Sequence, residues 1–354
     1  MTLREIFTFE NLKAAHEQCR QDKQHKRGTI MFEMDLGQNL ATLEKQLQAK
    51  TYKIGKYKPF ILFDPKERTI EALPYKDRVV LMCFCKHSLE PRIERRLVYD
   101  NAASRRGKGT HFAINRLHGF MQQSFKDANG NGGYYLKCDI SKYFQSVDQA
   151  ILIDKVKHMG FSADEIWFME LVIKSYTKSG VPLGNQTSQW FALLYLDEVD
   201  RLIKEKLRIK HYTRYMDDFI LLHHDKEYLR HCKAEIEKAC GRLKMRLNSK
   251  TQIGTLRCGI DYLGFNHKLR VDGKIERRVR ASAMMRHKRY LRVIAELHDQ
   301  EIIDDDWLSK REQAFLNHMK GTMGGKVVSK HMREIRAKAK IKRKKRNNLK
   351  KFKN

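Results

Sequence analysis

An adjacent pair of carboxylates, Asp217 and Asp218, constrains this chain more than any other feature of its sequence. Residues 211–215 before the pair and residues 219–222 after it are mainly apolar or β-prone. Two such runs around a short polar break predict a β-hairpin with the acidic pair at its tip. Two like charges this close raise each other's pKa, and a divalent cation relieves the repulsion. Carboxylate oxygens suit Mg²⁺, which shares its remaining positions with water and substrate phosphates.

A third carboxylate, Asp139, fits the same pattern. Residues 129–133 are a glycine- and asparagine-rich turn signal, and a mostly apolar strand with Asp139 near its end follows. A strand that supplies one Asp beside a hairpin that supplies two would build a two-metal site for in-line displacement at phosphorus. The alternative for any acidic cluster is a solvated turn. Residues 304–306 of this chain are predicted to be only that, or a helix N-terminus.

At these residues the chain resembles reverse transcriptases. Residues 215–218 match the metal-binding box of that family, and residues 139–144 resemble its first palm motif. The resemblance implies two Mg²⁺ ions, for which Mn²⁺ can substitute. It implies that the catalytic residues are Asp139, Asp217 and Asp218, and that the metal-binding set is Asp139, Ile140, Asp217 and Asp218.

The same two motifs imply contacts to nucleotide and primer. Phe144 holds the place of the aromatic residue that faces the sugar of the incoming nucleotide. Its ring would fill the space of a 2′-hydroxyl, so the resemblance implies a preference for deoxynucleotides. A core aromatic is the alternative for Phe144, although the neighbouring Tyr143 could equally supply that contact. Tyr215 and Met216 would lie against the template–primer.

Residues 181–189 resemble the loop and helix start that lie under the template and the incoming base. Leu183 and Gly184 would contact the nucleotide, and Ser188 and Gln189 the template. Most reverse transcriptases have Gln where this chain has Leu183, and the pattern here is similar to the enzymes of diversity-generating retroelements. Because a Leu side chain has no donor or acceptor and discriminates by shape alone, we expect tolerance of mispairs. The alternative is an ordinary loop before a buried helix.

Two earlier segments resemble the fingers of the family. The first, residues 65–80, contains Arg68, which would lie over the incoming triphosphate and bind it through its bidentate fork. The second, residues 104–110, would line the template path. Its basic side chains are Arg105, Arg106 and Lys108. Solvated basic loops are the alternative for both segments.

Two later segments complete the resemblance. Residues 247–251 resemble the loop that places a lysine, here Lys250, near the phosphates. Residues 258–265 resemble the primer-grip turn, with Leu263 and Gly264 against the primer.

The composition agrees with a nucleic-acid partner. The chain has 72 Lys and Arg against 42 Asp and Glu, which gives a net charge of +30. Such a balance favours phosphate contacts and counterion release. Nothing resembles a signal peptide, and no apolar run is long enough to span a membrane. The seven cysteines have no metal-ligand spacing, and we expect reduced thiols in a cytoplasmic protein of a bacterium or phage.

The expected fold class is α+β, a right-hand polymerase with fingers, palm and thumb, an antiparallel palm sheet and a helical thumb. Helices are predicted over residues 226–244 behind the sheet, and over 282–300 and 307–320 in the thumb. The expected divisions are a helical extension at 1–50, fingers at 51–132, palm at 133–265, thumb at 266–332 and a basic tail at 333–354.

The tail contains twelve Lys and Arg and one Glu. A run of this kind cannot fold alone, and we expect it to bind RNA or to act as a solubilising segment.

Three hypotheses for function remain open. The first is an RNA-directed DNA polymerase of the diversity-generating type, which copies a dedicated structured noncoding RNA from a DNA or RNA primer with dNTPs at low fidelity. A small accessory protein would accompany it. The second is a stand-alone antiviral reverse transcriptase templated by a noncoding RNA. The third is a catalytically silent RNA-binding protein with a polymerase fold, against which the intact carboxylates argue.

Overall fold

The computed structural model describes residues 1–63, 67–130, 132–319, 329–334 and 337. Four features of the sequence analysis therefore lie wholly or partly outside the described residues. They are the start of the first finger motif at 65–66, Asn131 of the turn, the end of the thumb helix at Lys320, and nearly all of the basic tail.

Hydrophobic residues at helical spacing fold the amino-terminal segment into short helices. The side chains of Thr2 and Thr8 cap the first two of them, which is a usual role of threonine at a helix start. The bounds are α1 Leu3–Ile6, α2 Phe9–Arg20, α3 Arg27–Glu33 and α4 Leu36–Gln48. Leu40, Leu43 and Leu47 are buried on one face of α4, so this helix packs on the body through a leucine stripe.

A two-stranded antiparallel hairpin and three helices occupy the segment expected for the fingers. Lys58 pairs with Ala72 at the open end of the hairpin, and Leu62 pairs with Arg68 near its turn. The bounds are β1 Lys58–Leu62, β2 Arg68–Ala72, α5 Tyr75–Phe84, α6 Glu90–Arg96 and α7 Thr110–Asp127. A π-helical turn, Cys85–Leu89, joins α5 to α6, and Cys83 and Cys85 are buried there.

A four-stranded sheet forms the centre of the expected palm. Its strands are β3 Tyr134–Cys138, β4 His211–Tyr215, β5 Asp218–His223 and β6 Gln252–Thr255, in the order β4-β5-β3-β6. The pairs β3–β5 and β4–β5 are antiparallel. Helices connect β3 to β4, and their bounds are α8 Tyr143–Ser146, α9 Gln149–Lys157, α10 Ala163–Lys174, α11 Gln186–Tyr195 and α12 Asp197–Arg201.

One long helix, α13 (Lys226–Arg242), packs against β3 and β5 and buries Leu229, Cys232 and Ile236. Asp225 caps it through hydrogen bonds from two backbone N–H groups of the first turn. The sheet is therefore covered on one face by a helix, which is the α+β arrangement that the sequence predicted.

The chain divides into two compact units. The first contains residues 1–120 and 133–253, and the second contains residues 121–132 and 254–354. The second unit has a three-stranded antiparallel sheet and two further helices around a core that includes Leu291 and Ile294. The bounds are β7 Ile260–Tyr262, β8 Phe265–Leu269, β9 Ile275–Val279, α14 Ala281–Asp299 and α15 Asp305–His318.

The acidic run at 304–306 begins a helix, as expected, because the Asp304 side chain accepts a hydrogen bond from Trp307 N at the start of α15. All seven cysteines are free thiols. Within the described ranges, no helix combines the length and apolar character that crossing a membrane requires.

Candidate active site

The hairpin that carries Asp217 and Asp218 has the geometry that the sequence predicts. Strands β4 and β5 pair in register until Tyr215 faces Asp218, which leaves Met216 and Asp217 as a two-residue turn. Met216 has a positive φ of 56°. The first residue of a type II′ hairpin turn takes this conformation. Both carboxylates therefore lie at or beside the tip of a short hairpin.

Strand β3 brings Asp139 to the same end of the sheet. The ladder between β3 and β5 ends with Cys138 opposite Phe219, so the next residues on the two strands are Asp139 and Asp218. The backbone of Asp139 is also fixed from its other side, because Asn248 N donates to its carbonyl oxygen at 2.7 Å. The structure thus brings the three predicted carboxylates together.

Burial dominates the electrostatics of this cluster. Burial is the largest cause that raises the pKa of Asp217 to about 6; the Asp139 carboxylate adds to the shift and Arg68 opposes it. Burial also raises the pKa of Asp218 to about 6, against the effect of Lys137. The Lys137 Nζ lies 3.3 Å from Asp218 Oδ2. The site therefore holds excess negative charge in a partly desolvated place.

The donor set fits a divalent cation. The candidate ligands are hard carboxylate oxygens, which Mg²⁺ and Mn²⁺ prefer. Asp218 Oδ1 is buried and has no hydrogen-bond partner, as expected for an oxygen reserved for a ligand. Among the residues that the structure describes, however, no three His, Cys, Asp or Glu side chains already stand in a ready metal-binding cluster. The three carboxylates lie at one end of the sheet without forming a preassembled set of metal ligands.

Phe144 follows Asp139 on the short helix α8 and is partly buried against the core. The neighbouring Tyr143 is fully buried and donates a hydrogen bond to the carbonyl of Ala192, so it supplies the core contact. The position of Phe144 depends on a remote glycine. A Cβ on Gly180 would lie 2.2 Å from the Phe144 carbonyl oxygen, and Gly180 has a positive φ of 85°.

The loop with Leu183 and Gly184 docks on the strand that carries Arg68. Glu71 N donates to the Leu183 carbonyl oxygen at 2.9 Å. A Cβ on Gly184 would lie 2.8 Å from Ile70 Cγ2. Arg68, on the same strand β2, opposes the raised pKa of Asp217, so its charge lies within electrostatic range of the carboxylate hairpin.

Arg105, for which the sequence predicts a template contact, is held in place by several contacts within the chain. Its side chain is 6% exposed and forms a bidentate pair with Glu94. It also donates to the carbonyls of Val98 and Asn101, each at 2.8 Å. All three guanidinium nitrogens are therefore bonded within the chain. Sequence alone could not show this, because Glu94 lies in helix α6 and Arg105 in the loop that follows it.

The other basic residues of this loop are more open. Arg106 is exposed. Lys108 Nζ lies 4.3 Å from the ring centre of Tyr99, a side chain that is itself 64% exposed. Burial lowers the pKa of Lys108.

The two polar residues of α11 differ in exposure. Ser188 is buried, whereas Gln189 is partly exposed and its Oε1 accepts a hydrogen bond from Ser104 Oγ at 2.8 Å. Lys250 is exposed on the loop whose Asn248 bonds the Asp139 backbone.

The turn with Leu263 and Gly264 belongs to the second unit. It joins β7 to β8, with Tyr262 paired to Phe265. Both turn residues have positive φ, 47° and 92°, as in a type I′ hairpin turn.

Sequence reasoning missed a buried ion pair beneath the carboxylate hairpin. Arg214 and Asp200 are 1% and 0% exposed, and Arg214 Nη2 lies 2.6 Å from Asp200 Oδ2. The available signal was an arginine on the same face of a β-prone strand as the aromatic Tyr212. Its partner could not be read from the sequence, since Asp200 comes from a separate helix.

Comparison with known proteins agrees with this geometry. Residues 64–267 match the family model described as "Reverse transcriptase (RNA-dependent DNA polymerase)". The match covers more than half of the chain, so the protein belongs to the reverse transcriptase family. The expected α+β right-hand polymerase fold is confirmed.

Solved telomerase structures are similar in part, and no curated protein matches by sequence. A Candida albicans telomerase with a fragment of telomeric RNA is 12% identical at a TM-score of 0.48, and the alignment covers 75% of this chain and 55% of that one. An apo telomerase from Candida tropicalis is 13% identical at a TM-score of 0.49, with coverage of 63% and 48%. The chain therefore spans about half the length of these structures.

Proposed function

We propose that this protein is an RNA-directed DNA polymerase that copies a dedicated structured RNA into cDNA. The observation that carries the proposal is the meeting of Asp139, Asp217 and Asp218 at one end of an antiparallel sheet, with Arg68 within electrostatic reach. The family match supports the same chemistry.

Asp139, Asp217, Asp218 and the backbone at Ile140 would hold two Mg²⁺ ions. When bound, such ions activate the attacking oxygen and stabilise charge on the transferred phosphoryl group. Arg68 and Lys250 would bind the triphosphate, because cationic side chains hold phosphate oxygens through charge-assisted hydrogen bonds. The Phe144 ring would exclude a 2′-hydroxyl by contact with the sugar.

The partners in this proposal are a structured noncoding RNA, a primer and dNTPs, with a small accessory protein. The net charge of +30 supports a polyanionic partner. The template and primer residues in this proposal are Arg105, Arg106, Lys108, Ser188, Gln189, Tyr215, Met216, Leu263 and Gly264. The proposal keeps the predicted division into a helical extension, fingers, palm, thumb and basic tail. We place the enzyme in the cytoplasm of a bacterium or a phage-infected cell.

Low fidelity of the diversity-generating type is supported by Leu183. Its side chain is partly exposed, and its backbone is held against Glu71 by a 2.9 Å hydrogen bond. An apolar side chain at a fixed place under the nucleotide leaves no polar group unpaired by a mismatch, so it penalises a wrong base weakly.

Primer extension on a defined RNA template with dNTPs and Mg²⁺ tests the proposed activity. We expect templated DNA synthesis that EDTA stops and Mn²⁺ restores. A protein that binds the RNA but extends no primer with either metal would be the silent RNA-binding protein, and the polymerase proposal would be wrong.

Sequencing of the cDNA tests the proposed fidelity. Leu183→Gln should lower misincorporation a fewfold, because a glutamine could make a directional contact best satisfied by a matched pair. Template adenines are the bases to examine first, because the resemblance to diversity-generating enzymes implies errors there. Equal error spectra for the two enzymes would remove Leu183 from the determinants of fidelity.

A further inference from the structure

Arg214 lies one residue before the Tyr215 that closes the carboxylate hairpin, and none of the roles proposed above uses it. Side chains alternate along a strand, so Arg214 and Tyr212 point to the face of β4 opposite Tyr215. Arg214 is 1% exposed, and Tyr212 is fully buried. A buried guanidinium without partners would strongly destabilise the fold, so the groups that compensate the charge of Arg214 have to be identified.

Asp200 on α12 neutralises this charge through a bidentate contact. Arg214 Nε donates to Asp200 Oδ1 at 2.7 Å, and Nη2 donates to Oδ2 at 2.6 Å. The Tyr212 hydroxyl also donates to Asp200 Oδ1. A planar fork on a carboxylate fixes the direction of the guanidinium as well as its place.

The rest of the guanidinium reaches backbone carbonyls. Nη1 donates to the Met216 carbonyl oxygen at 3.0 Å, and Nη2 donates to the Leu193 carbonyl oxygen at 3.2 Å. One side chain thus connects the turn of the carboxylate hairpin with α11, which carries Leu193, and with α12, which carries Asp200.

The Met216 carbonyl belongs to the peptide unit that leads directly into Asp217. Met216 itself has a φ of 56°, a conformation that residues other than glycine rarely adopt. Such a conformation persists only where the surroundings over-determine it. Arg214 supplies a surrounding of this kind, because the bond to the carbonyl fixes the plane of the peptide before Asp217.

We propose that Arg214 is a positioning residue that, anchored on Asp200, holds the Met216 carbonyl and thereby aims the Asp217 carboxylate at the metal site. The inference rests on the proposed polymerase function, because it takes Asp217 as a metal-binding residue. Arg214 touches neither substrate nor metal, and it acts through the turn.

The proposal requires an arginine and not only a positive charge. A lysine at position 214 would keep the charge opposite Asp200, but an ammonium group lacks the planar fork that reaches the carboxylate and two carbonyls at once. Arg214→Lys should therefore keep the ion pair with Asp200 and lose the hydrogen bond to the Met216 carbonyl oxygen.

Binding of Mn²⁺, followed by electron paramagnetic resonance, measures the effect without catalysis. We expect Arg214→Lys to weaken Mn²⁺ binding about tenfold, which corresponds to about 1.4 kcal/mol. In primer extension, the same variant should need more Mg²⁺ for half-maximal rate and have a lower kcat, while the KM for the primer–template stays unchanged.

A matched control separates positioning from general loss of stability. Leu12→Ala removes a fully buried side chain from α2 and should lower the melting temperature without changing Mn²⁺ affinity. Equal loss of Mn²⁺ binding in Leu12→Ala and Arg214→Lys would overturn the inference, as would wild-type Mn²⁺ affinity in Arg214→Lys.

A milder variant decides the matter if Arg214→Lys does not fold. Tyr212→Phe removes only the hydroxyl that donates to Asp200 and should weaken Mn²⁺ binding about threefold, the effect of losing a fraction of one hydrogen bond. Unchanged affinity in that variant would then overturn the inference. Failure of the wild-type protein to bind Mn²⁺ and extend primers would instead overturn the proposed function.

Discussion

The hairpin of β4 and β5 and the hairpin of β7 and β8 both have two-residue turns, but they stabilise those turns in different ways. In the first, Met216 takes a positive φ of 56° and a buried arginine from the adjoining strand holds its carbonyl. In the second, Leu263 and Gly264 have φ values of 47° and 92°, and glycine tolerates this conformation by itself.

The difference separates local from long-range control of backbone shape. In the second turn, one of the two positive-φ positions is encoded locally by Gly264, whereas Leu263 has a φ as unusual for its residue type as that of Met216. The first turn depends on Asp200, which anchors Arg214 from a separate helix. A site that must hold repelling carboxylates needs a turn that the surrounding structure fixes, because the local sequence alone would allow the turn to relax.

The largest expected effect tests whether the hairpin of β4 and β5 carries the catalytic carboxylates. Asp217→Asn should lower the rate of DNA synthesis by about a hundredfold to a thousandfold, since loss of one charge-stabilising group has effects of this order. Asp272→Asn, in the exposed turn after β8, makes the same chemical change and should leave the rate unchanged. Steady-state primer extension measures both. Comparable rates for Asp217→Asn and wild type would show that the first hairpin does not carry the reaction.

The second prediction concerns pH. The carboxyls of Asp217 and Asp218 have their pKa raised from 3.8 to about 6, so protons compete with a metal ion below that pH. Mn²⁺ affinity should rise between about pH 5 and pH 7, by up to about a hundredfold if both protons are displaced. In the metal-free protein, the contribution of these two carboxyls to folding stability falls as pH rises, whereas the metal affinity increases. These two groups stabilise the fold below pH 3.8, and that contribution is lost as pH rises through about 6.

Titration of Mn²⁺ affinity by electron paramagnetic resonance checks the direction. Asp217→Asn should flatten the dependence, because one of the two competing protons is gone. An affinity that is independent of pH in the wild type would contradict the burial described for this hairpin.

The third prediction concerns the choice between ribonucleotides and deoxynucleotides, which the Phe144 side chain is proposed to control. Phe144→Ala should admit ribonucleotides and raise the ratio of rNTP to dNTP incorporation about tenfold, in the range that shape discrimination supplies. Competition between the two nucleotides on one template measures the ratio. An unchanged ratio would mean that Phe144 is a core aromatic, the alternative open from the sequence.

The smallest expected effect concerns the second turn. Gly264→Ala should destabilise the protein by about 1–2 kcal/mol, because an L-residue is disfavoured at a positive φ. A Cβ at this position meets nothing within 4 Å, so sterics with neighbours do not contribute. Gly119→Ala is the matched control, because Gly119 lies in α7 with open space around it. This variant should be more stable than the wild type by about 0.5–1 kcal/mol.

Urea denaturation measures both glycine variants. If Gly264→Ala were as stable as Gly119→Ala, the second turn would not depend on its glycine, and the contrast between the two hairpins would disappear.

Several features of the site follow from local pattern alone. The apolar and β-prone runs on both sides of Asp217 and Asp218 predict their hairpin, and the turn at 129–133 predicts the strand that ends near Asp139. Each of these signals lies within a short window of residues, so it can be recognised without knowledge of the rest of the chain. The +30 charge likewise indicates a polyanionic partner without any structure.

Other features required the tertiary structure. The strand register that pairs Cys138 with Phe219 brings Asp139 beside Asp218. The contact with Glu94, which holds the Arg105 side chain, is likewise visible only in the structure. Arg214 and Asp200 are fourteen residues apart and meet only when α12 packs behind β4. Contacts between separate elements depend on how the whole chain packs, and the residues on either side of an arginine do not reveal which carboxylate will meet it.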